Sequence, residues 1–389
     1  MKHALFLLVA FSVLRITAFG QVLPVADTLQ KPDSTLVTEI LIQDILVRDS
    51  LDLKYYVVED TSMYTFEMIQ NDISYFEATW PEFIKAKTIG NSEFGLPLRG
   101  FTLAKTDQPK PMVFIVGNIH AREDFSSKMT MKVANVMLLS LAGKSDLYPG
   151  LTSMLDVVDI FFLPVANPDG LKIAQNDLGV IESQARMWFD SIYIDETILE
   201  WKANGKGIDL NSSFDDNHWA VKKGGNFHAK RASEGYKGSF AAEPIETQAL
   251  QNFIQTNRPI CTISFHTKGN ILYWADAITH PMFEDIDTKM SADARKASGF
   301  ELGKIGTKPS DFGCGLENYV RSKSGSIGVC VELSCGGGGR KQHPDSRFNE
   351  LVWQKAWEIP FIYIVNTVEY KQDLLRIQDQ FYGKLEDKP

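Results

Sequence analysis

Four side chains in this sequence have the types and spacing to build a hydrolytic metal centre. The run Gly117-Asn-Ile-His120-Ala-Arg-Glu123 sets an imidazole and a carboxylate three residues apart. Such a pair can turn onto one face and reach a common ion, because zinc takes imidazole and carboxylate donors at ~2.0–2.2 Å. A catalytic zinc uses three protein ligands and leaves a position for water or substrate. A lone His-x-x-Glu is weak evidence, since the same pair also serves as an ordinary helix start. His266 is the candidate third donor. It ends the apolar run Cys261-Thr-Ile-Ser-Phe-His266, where a histidine is either a satisfied core residue or a site residue.

Hydrolysis at a metal also needs a base that is not a ligand. Glu332 stands inside the apolar stretch Val329-Cys-Val-Glu332-Leu333. A carboxylate is seldom buried unless it is paired or functional, so a buried salt bridge and a general base are the two readings. The glycines at 336–339 follow closely and favour a cleft-lining segment. His218, His228, His280 and His343 lie in loop-like contexts and suit the surface or the cleft rim.

The elements that position these groups can be read from apolar patterning. Met112–Val116, Val157–Val165 and Ile260–Phe265 are short apolar runs bounded by turn formers, as expected of strands buried on both faces. Helical periodicity starts after Glu123 and again spans about Pro244–Thr256. A further helical pattern runs from Tyr64 towards Pro81, and Thr88–Leu98 reads as strand, turn at Gly95, strand. Alternating strands and helices predict a single α/β domain: a mixed, mostly parallel twisted sheet with helices on both faces. His120 and Glu123 then follow a strand's carboxyl end, the edge where open α/β sheets bind ligands.

The ordered set His120-Ala-Arg-Glu123, Asn167-Pro-Asp-Gly170, Gly207-Ile-Asp-Leu-Asn211, the strand ending at His266 and the strand carrying Glu332 resembles the zinc metallocarboxypeptidase family over about residues 60–370. Trp201-Lys-Ala-Asn204 and Phe265-His-Thr-Lys-Gly-Asn-Ile-Leu-Tyr-Trp274 are most similar to its bacterial branch that cleaves γ-D-glutamyl-diaminopimelate and related wall-peptide bonds. The resemblance implies one Zn2+ held by His120, Glu123 and His266, with Glu332 as general acid/base. It implies that Arg122 polarises the substrate carbonyl, that Asn211 contacts the terminal carboxylate, and that Asn167-Pro-Asp-Gly170 is a structural turn. Two positions depart from the family pattern. Lys202 replaces the arginine that stabilises the oxyanion, and Ser212 replaces the arginine that clamps an α-carboxylate with two parallel bonds. Tyr319 is near the position of the substrate-closing tyrosine but aligns poorly. Lys268 and Arg340, beside site segments, are replacement anion contacts or simply solvated cations. The expected activity is hydrolysis of a peptide substrate, a peptidoglycan stem peptide by the bacterial resemblance. The rivals are a zinc amidohydrolase of N-acyl amino acids and a metal-binding homologue without turnover.

The chain has 389 residues, 44% hydrophobic and 23% charged, which is ample for a sizeable core. Residues 1–20 carry an apolar run from Ala4 to Val13 after Lys2, then Ala18-Phe-Gly20, and read as a secretory signal rather than an anchor. That predicts a periplasmic or secreted product with no membrane anchor after cleavage. Without Lys2 and Arg15 the chain holds 38 basic and 49 acidic side chains, a net charge of −11. With no basic block, nucleic acid and anionic lipid are poor partners. The expected layout is an N-terminal extension at 21–60, a catalytic domain at 61–375 and a tail at 376–389. Cys261, Cys314, Cys330 and Cys335 allow three full pairings or free thiols, and their spacing leaves the choice open.

Overall fold

The computed structural model describes residues 62–386 except 182–185, 187–188, 191–197, 223–227, 309, 311 and 336–342. The expected signal at 1–20, the expected extension at 21–60, the glycines at 336–339 and Arg340 therefore lie outside the described residues. Among the described residues, no helix is long and apolar enough to cross a membrane.

Eight strands form one sheet in the order β1-β2-β4-β3-β5-β8-β6-β7. They are β1 (Ile84–Asn91), β2 (Pro97–Leu103), β3 (Met112–Val116), β4 (Asp159–Leu163), β5 (Cys261–Thr267), β6 (Ile271–Tyr273), β7 (Glu301–Leu302) and β8 (Ile327–Leu333). The centre is parallel, β4-β3-β5-β8, and β1, β2 and β6 pair antiparallel towards the edges. Every residue of β4 is buried, which is why its sequence is almost wholly apolar. After β3 the chain crosses to β4 on one side, and later returns to place β5 on the other. β3 and β5 thus flank the switch point, where loops leaving the strand ends diverge and open a crevice.

Helices cover both faces. Strand side chains alternate, so Phe114 and Val116 of β3 share one face with Phe161 and Leu163 of β4. Against them pack Leu250, Phe253 and Ile254 of one helix (Ile245–Asn257) and Leu316 and Val320 of another (Leu316–Ser324). The opposite face carries the long helix Asp124–Leu141, buried nearly all round, and the helix Glu358–Glu369. In chain order the α-helices of seven residues or more among the described residues are α1 (Phe66–Thr79), α2 (Asp124–Leu141), α3 (Pro168–Ala174), α4 (Ile245–Asn257), α5 (Ile286–Ser298), α6 (Leu316–Ser324), α7 (Glu358–Glu369) and α8 (Lys371–Glu386). The turn at Gly95 has φ +86°, a conformation glycine adopts without penalty.

Helix α8 runs unbroken through residue 375, so the segment expected to be a tail is helical as far as residue 386. Leu374 and Ile377 bury one face of it, and the Gln378 amide donates to the Arg258, Pro259 and Ser324 carbonyls. All four cysteines are free thiols, and Cys335 alone is not fully buried.

Candidate metal centre

The loop after β3 is shaped by backbone demands. Gly117 lies against α2: an added Cβ would sit 2.6 Å from the Ser126 carbonyl oxygen. Asn118 takes φ +53°, a region asparagine tolerates better than most residues, and its side-chain amide donates to the His120 and Ala121 carbonyls. The Asn118 amide donates to Ser126 Oγ at 2.8 Å. From behind, Asn167 Nδ2 donates to both the Ile119 and Ala203 carbonyls at 3.1 Å, which joins this loop to the Trp201–Asn204 segment. Asn167-Pro-Asp-Gly170 is thus a bracing turn, and Asp169 extends it by accepting from Ser92 Oγ and the Phe94 amide.

His120, Glu123 and His266 converge and are buried. His120 Nδ1 lies 2.9 Å from Glu123 Oε1, and His266 Nδ1 lies 3.0 Å from both His120 Nδ1 and Glu123 Oε2. The other nitrogens have their own partners. His120 Nε2 faces Asp209 Oδ1 at 3.4 Å, and His266 Nε2 lies 3.0 Å from Ser264 Oγ. An N–H at each Nε2 leaves both Nδ1 lone pairs pointing inward, the arrangement by which outer partners orient histidine ligands. Two lone pairs and a carboxylate this close repel unless a cation lies among them. Donors at ~2.1 Å from a tetrahedral ion stand about 3.4 Å apart, so the set fits zinc with small adjustment. Burial works against charge on Glu123, yet the two histidines hold its carboxyl well below the usual range. The Thr267 amide also donates to Glu123 Oε2 at 3.1 Å.

Glu332 stands directly opposite His266 in the β5–β8 register. Among the described residues its Oε2 is buried without a hydrogen-bond partner and no salt bridge reaches it. Burial pushes this carboxyl up to about 7; Glu123 and Glu317 add to the rise, and His266 and Lys202 oppose it. Lys202 Nζ lies 3.8 Å from Asp209 Oδ2. Burial would lower Lys202, but Asp209, Glu123 and Glu332 outweigh it against Arg122, and its pKa is raised. Arg122 Nη1 donates to the Glu200 carbonyl at 2.7 Å and to Glu234 Oε2 at 3.0 Å. Asn211 accepts the Leu316 amide at 2.9 Å through Oδ1, and Ser212 ends the short turn Leu210–Ser212 beside it. Lys268 is half-buried one residue beyond β5.

Tyr319 does not face this centre. It is 5% exposed, with its ring centroid 5.7 Å from that of Phe214, and its hydroxyl accepts from Gln255. It sits on the core side of α6 because Tyr319 and Leu316 share one stripe of that helix. Tyr273, 44% exposed and paired with Cys330 across β6–β8, is the open tyrosine near Glu332. Sequence reasoning does not single out Asp209, Glu234 or Ser264. Asp209 had a signal, its place within Gly207-Ile-Asp-Leu-Asn211; Glu234 had none.

The sequence model described as zinc carboxypeptidase matches residues 69–358. The chain is 23% identical over 310 residues to γ-D-glutamyl-L-diamino acid endopeptidase 1 of Lysinibacillus sphaericus, covering 78% of this chain and 73% of that protein. Its fold is similar to that of thrombin activatable fibrinolysis inhibitor, with TM-score 0.59, 19% identity, and coverage of 85% of this chain and 80% of the other. Carboxypeptidase A of Helicoverpa armigera superposes with TM-score 0.58 at 16% identity, over 87% of this chain and 81% of its own. With the family match spanning most of the chain and both fold and donor set in agreement, this protein belongs to the zinc carboxypeptidase family and is a zinc metallopeptidase.

Proposed function

We propose that this chain hydrolyses peptide bonds in exported wall-derived stem peptides, of the γ-D-glutamyl–diamino acid type, with His120, Glu123 and His266 as zinc ligands and Glu332 as general base. The observation that carries it is the register of β5 and β8, which sets Glu332, with its Oε2 lacking a hydrogen-bond partner among the described residues, opposite a histidine of the donor triad. A zinc ion held there would lower the pKa of a water from about 15.7 towards ~7 and polarise a carbonyl.

Glu332 then takes the proton from the attacking water and returns it to the departing amine. A carboxyl tuned near neutrality suits both transfers, since a catalytic pKa near the working pH keeps base and acid forms accessible. Lys202, held by Asp209, and Arg122, held by Glu234, keep positive charge beside the carbonyl oxygen as negative charge develops there. Asn211 is fixed through its carbonyl oxygen, which leaves its amide group to face substrate. Ser212 offers no two-pronged cation for an α-carboxylate, in keeping with a substrate whose end is not a standard L-residue.

The substrate class is supported by the named activity of the Lysinibacillus sphaericus relative. The secretory reading of residues 1–20 supports it, and with it a site of action in the periplasm or outside the cell. Incubation with muropeptides and with blocked L-peptides, followed by mass analysis of the products, tests the assignment. Chelator should abolish muropeptide cleavage and zinc restore it. Cleavage of L-peptides alone would reject the wall substrate.

A further inference from the structure

The two faces of the sheet divide the groups around the metal centre. Thr262, Ser264 and His266 of β5 share one face with Phe114 and Val116 of β3, and Glu332 stands opposite His266 on the same side. This is the face that α4 and α6 cover. Helix α6 lies so close to β8 there that a Cβ added at Gly328 would sit 2.8 Å from the Glu317 carbonyl oxygen. Glu332 hands its proton to the departing amine in the reading above, so the leaving residue stands on this side.

Lys268 belongs to the other side, where α2 lies. The Thr267 amide donates to Glu123 Oε2 at 3.1 Å, which brings the chain leaving β5 against the loop that opens α2. The charges that act on Lys268 are those of Arg122 and Glu123 in that loop. Lys268 acts in turn on His343, whose ring stacks on Phe125 of α2 with centroids 6.4 Å apart. The residue that supplies the scissile carbonyl, on the acyl side, therefore meets Arg122 and Lys268.

Three cations thus ring the centre. Arg122 Nη1 lies 3.0 Å from Glu234 Oε2 and Lys202 Nζ lies 3.8 Å from Asp209 Oδ2, so each has a carboxylate of its own. Burial lowers the Lys268 ammonium from its ordinary value, Arg122 adds to the fall, and Glu123 opposes it. Glu123 belongs to the donor triad, so its charge is shared with the metal and not kept for Lys268. In a chain of net charge −9, cations gathered beside one another at a cleft mark a place suited to an anion.

We infer that Lys268 binds the free α-carboxylate of a γ-linked D-glutamyl residue on the acyl side of the scissile bond. The inference rests on the peptidase reading above and adds the group that recognises the linkage. In a γ-linked residue the scissile carbonyl ends the side chain, and the α-carboxylate remains at the other end of the same short chain. An α-linked residue with an uncharged side chain brings no carboxylate to that place. An ammonium on a flexible stem carries three donors, which suits a carboxylate held at that reach from the metal. A carboxamide there keeps an acceptor and loses the charge, so it should bind less well without being excluded.

The test uses the zinc-loaded full chain and two γ-D-glutamyl stem peptides that differ only at this group, carboxylate or carboxamide. The wild type should prefer the carboxylate by about tenfold in kcat/KM, the margin of a charge-assisted over a neutral hydrogen bond. Lys268→Gln should lower the carboxylate value about tenfold and leave the carboxamide value within about threefold. Lys268→Met carries the comparison should Lys268→Gln not fold. Equal wild-type rates on the two peptides, or equal losses on both in the variant, overturn the inference and leave the peptidase reading standing. If neither peptide is cleaved, the peptidase reading fails, and calorimetric binding of the same two peptides decides the subsite. Tighter binding of the carboxylate that Lys268→Gln abolishes upholds it; equal binding overturns it.

Discussion

Replacing Glu246 by glutamine should change how stability depends on pH, and the size of the effect follows from its surroundings. Glu246 is fully buried in the first turn of α4. Its Oε1 accepts the Glu93 amide and its Oε2 accepts Asn204 Nδ2, both at 3.2 Å, which ties α4 to the loop that carries Lys202 and Asp209. Burial, with Asp169 and Glu93 nearby, pushes its carboxyl up to about 8 from an ordinary 4.5. Between those two values the folded state binds more protons than the unfolded state, so stability falls as pH rises through that window and levels off above it. At ~1.4 kcal/mol per pH unit, the ionisation penalty reaches roughly 5 kcal/mol at most by pH 9. Relaxation around the charge reduces this, and a third of it would still be measurable. Glutamine removes the titration but presents one acceptor to two donors, a pH-independent cost of about 1–3 kcal/mol. The diagnostic quantity is therefore the difference between variant and wild type, followed from pH 5 to pH 9 by urea unfolding. The variant should gain on the wild type by at least about 1.5 kcal/mol across that range. Parallel curves for the two proteins would show that Glu246 is ionised throughout, and would refute the reasoning.

Glu332→Gln should keep zinc bound and lower turnover by about 10²–10⁴, the usual worth of a general base; near-normal kcat with bound metal would remove Glu332 from the mechanism. The pH–rate profile should lose activity as pH falls through the Glu332 pKa, because only the carboxylate accepts the proton. Bound zinc adds positive charge beside it, so this acid limb should lie below the value of about 7 that burial imposes on the carboxyl without the ion, and should vanish in Glu332→Gln. Asp209→Asn should weaken zinc affinity about 10- to 100-fold, since it removes the carboxylate facing His120 Nε2; a chromogenic chelator competition showing unchanged affinity would deny Asp209 that orienting role.

Much of this protein was legible before any coordinates. The buried strands β3, β4 and β5 announce themselves as short apolar runs because parallel strands covered on both faces need apolar side chains at every position. His120 and Glu123 are readable as a pair because both leave one loop within three residues. Their meeting with His266, 146 positions away, is another matter. Strand order decides it, since β5 returns to the far side of β3 and opens the crevice between them. Register decides that Glu332, and not another carboxylate, faces His266; a slip of one residue would turn it to the opposite face. The burial of Tyr319, the grip of Glu234 on Arg122 and the seat of Glu317 on Gly328 likewise depend on how α6 and the loops pack. Periodicity and turn chemistry are written locally, whereas which distant surfaces touch follows from the packing of the whole chain at once.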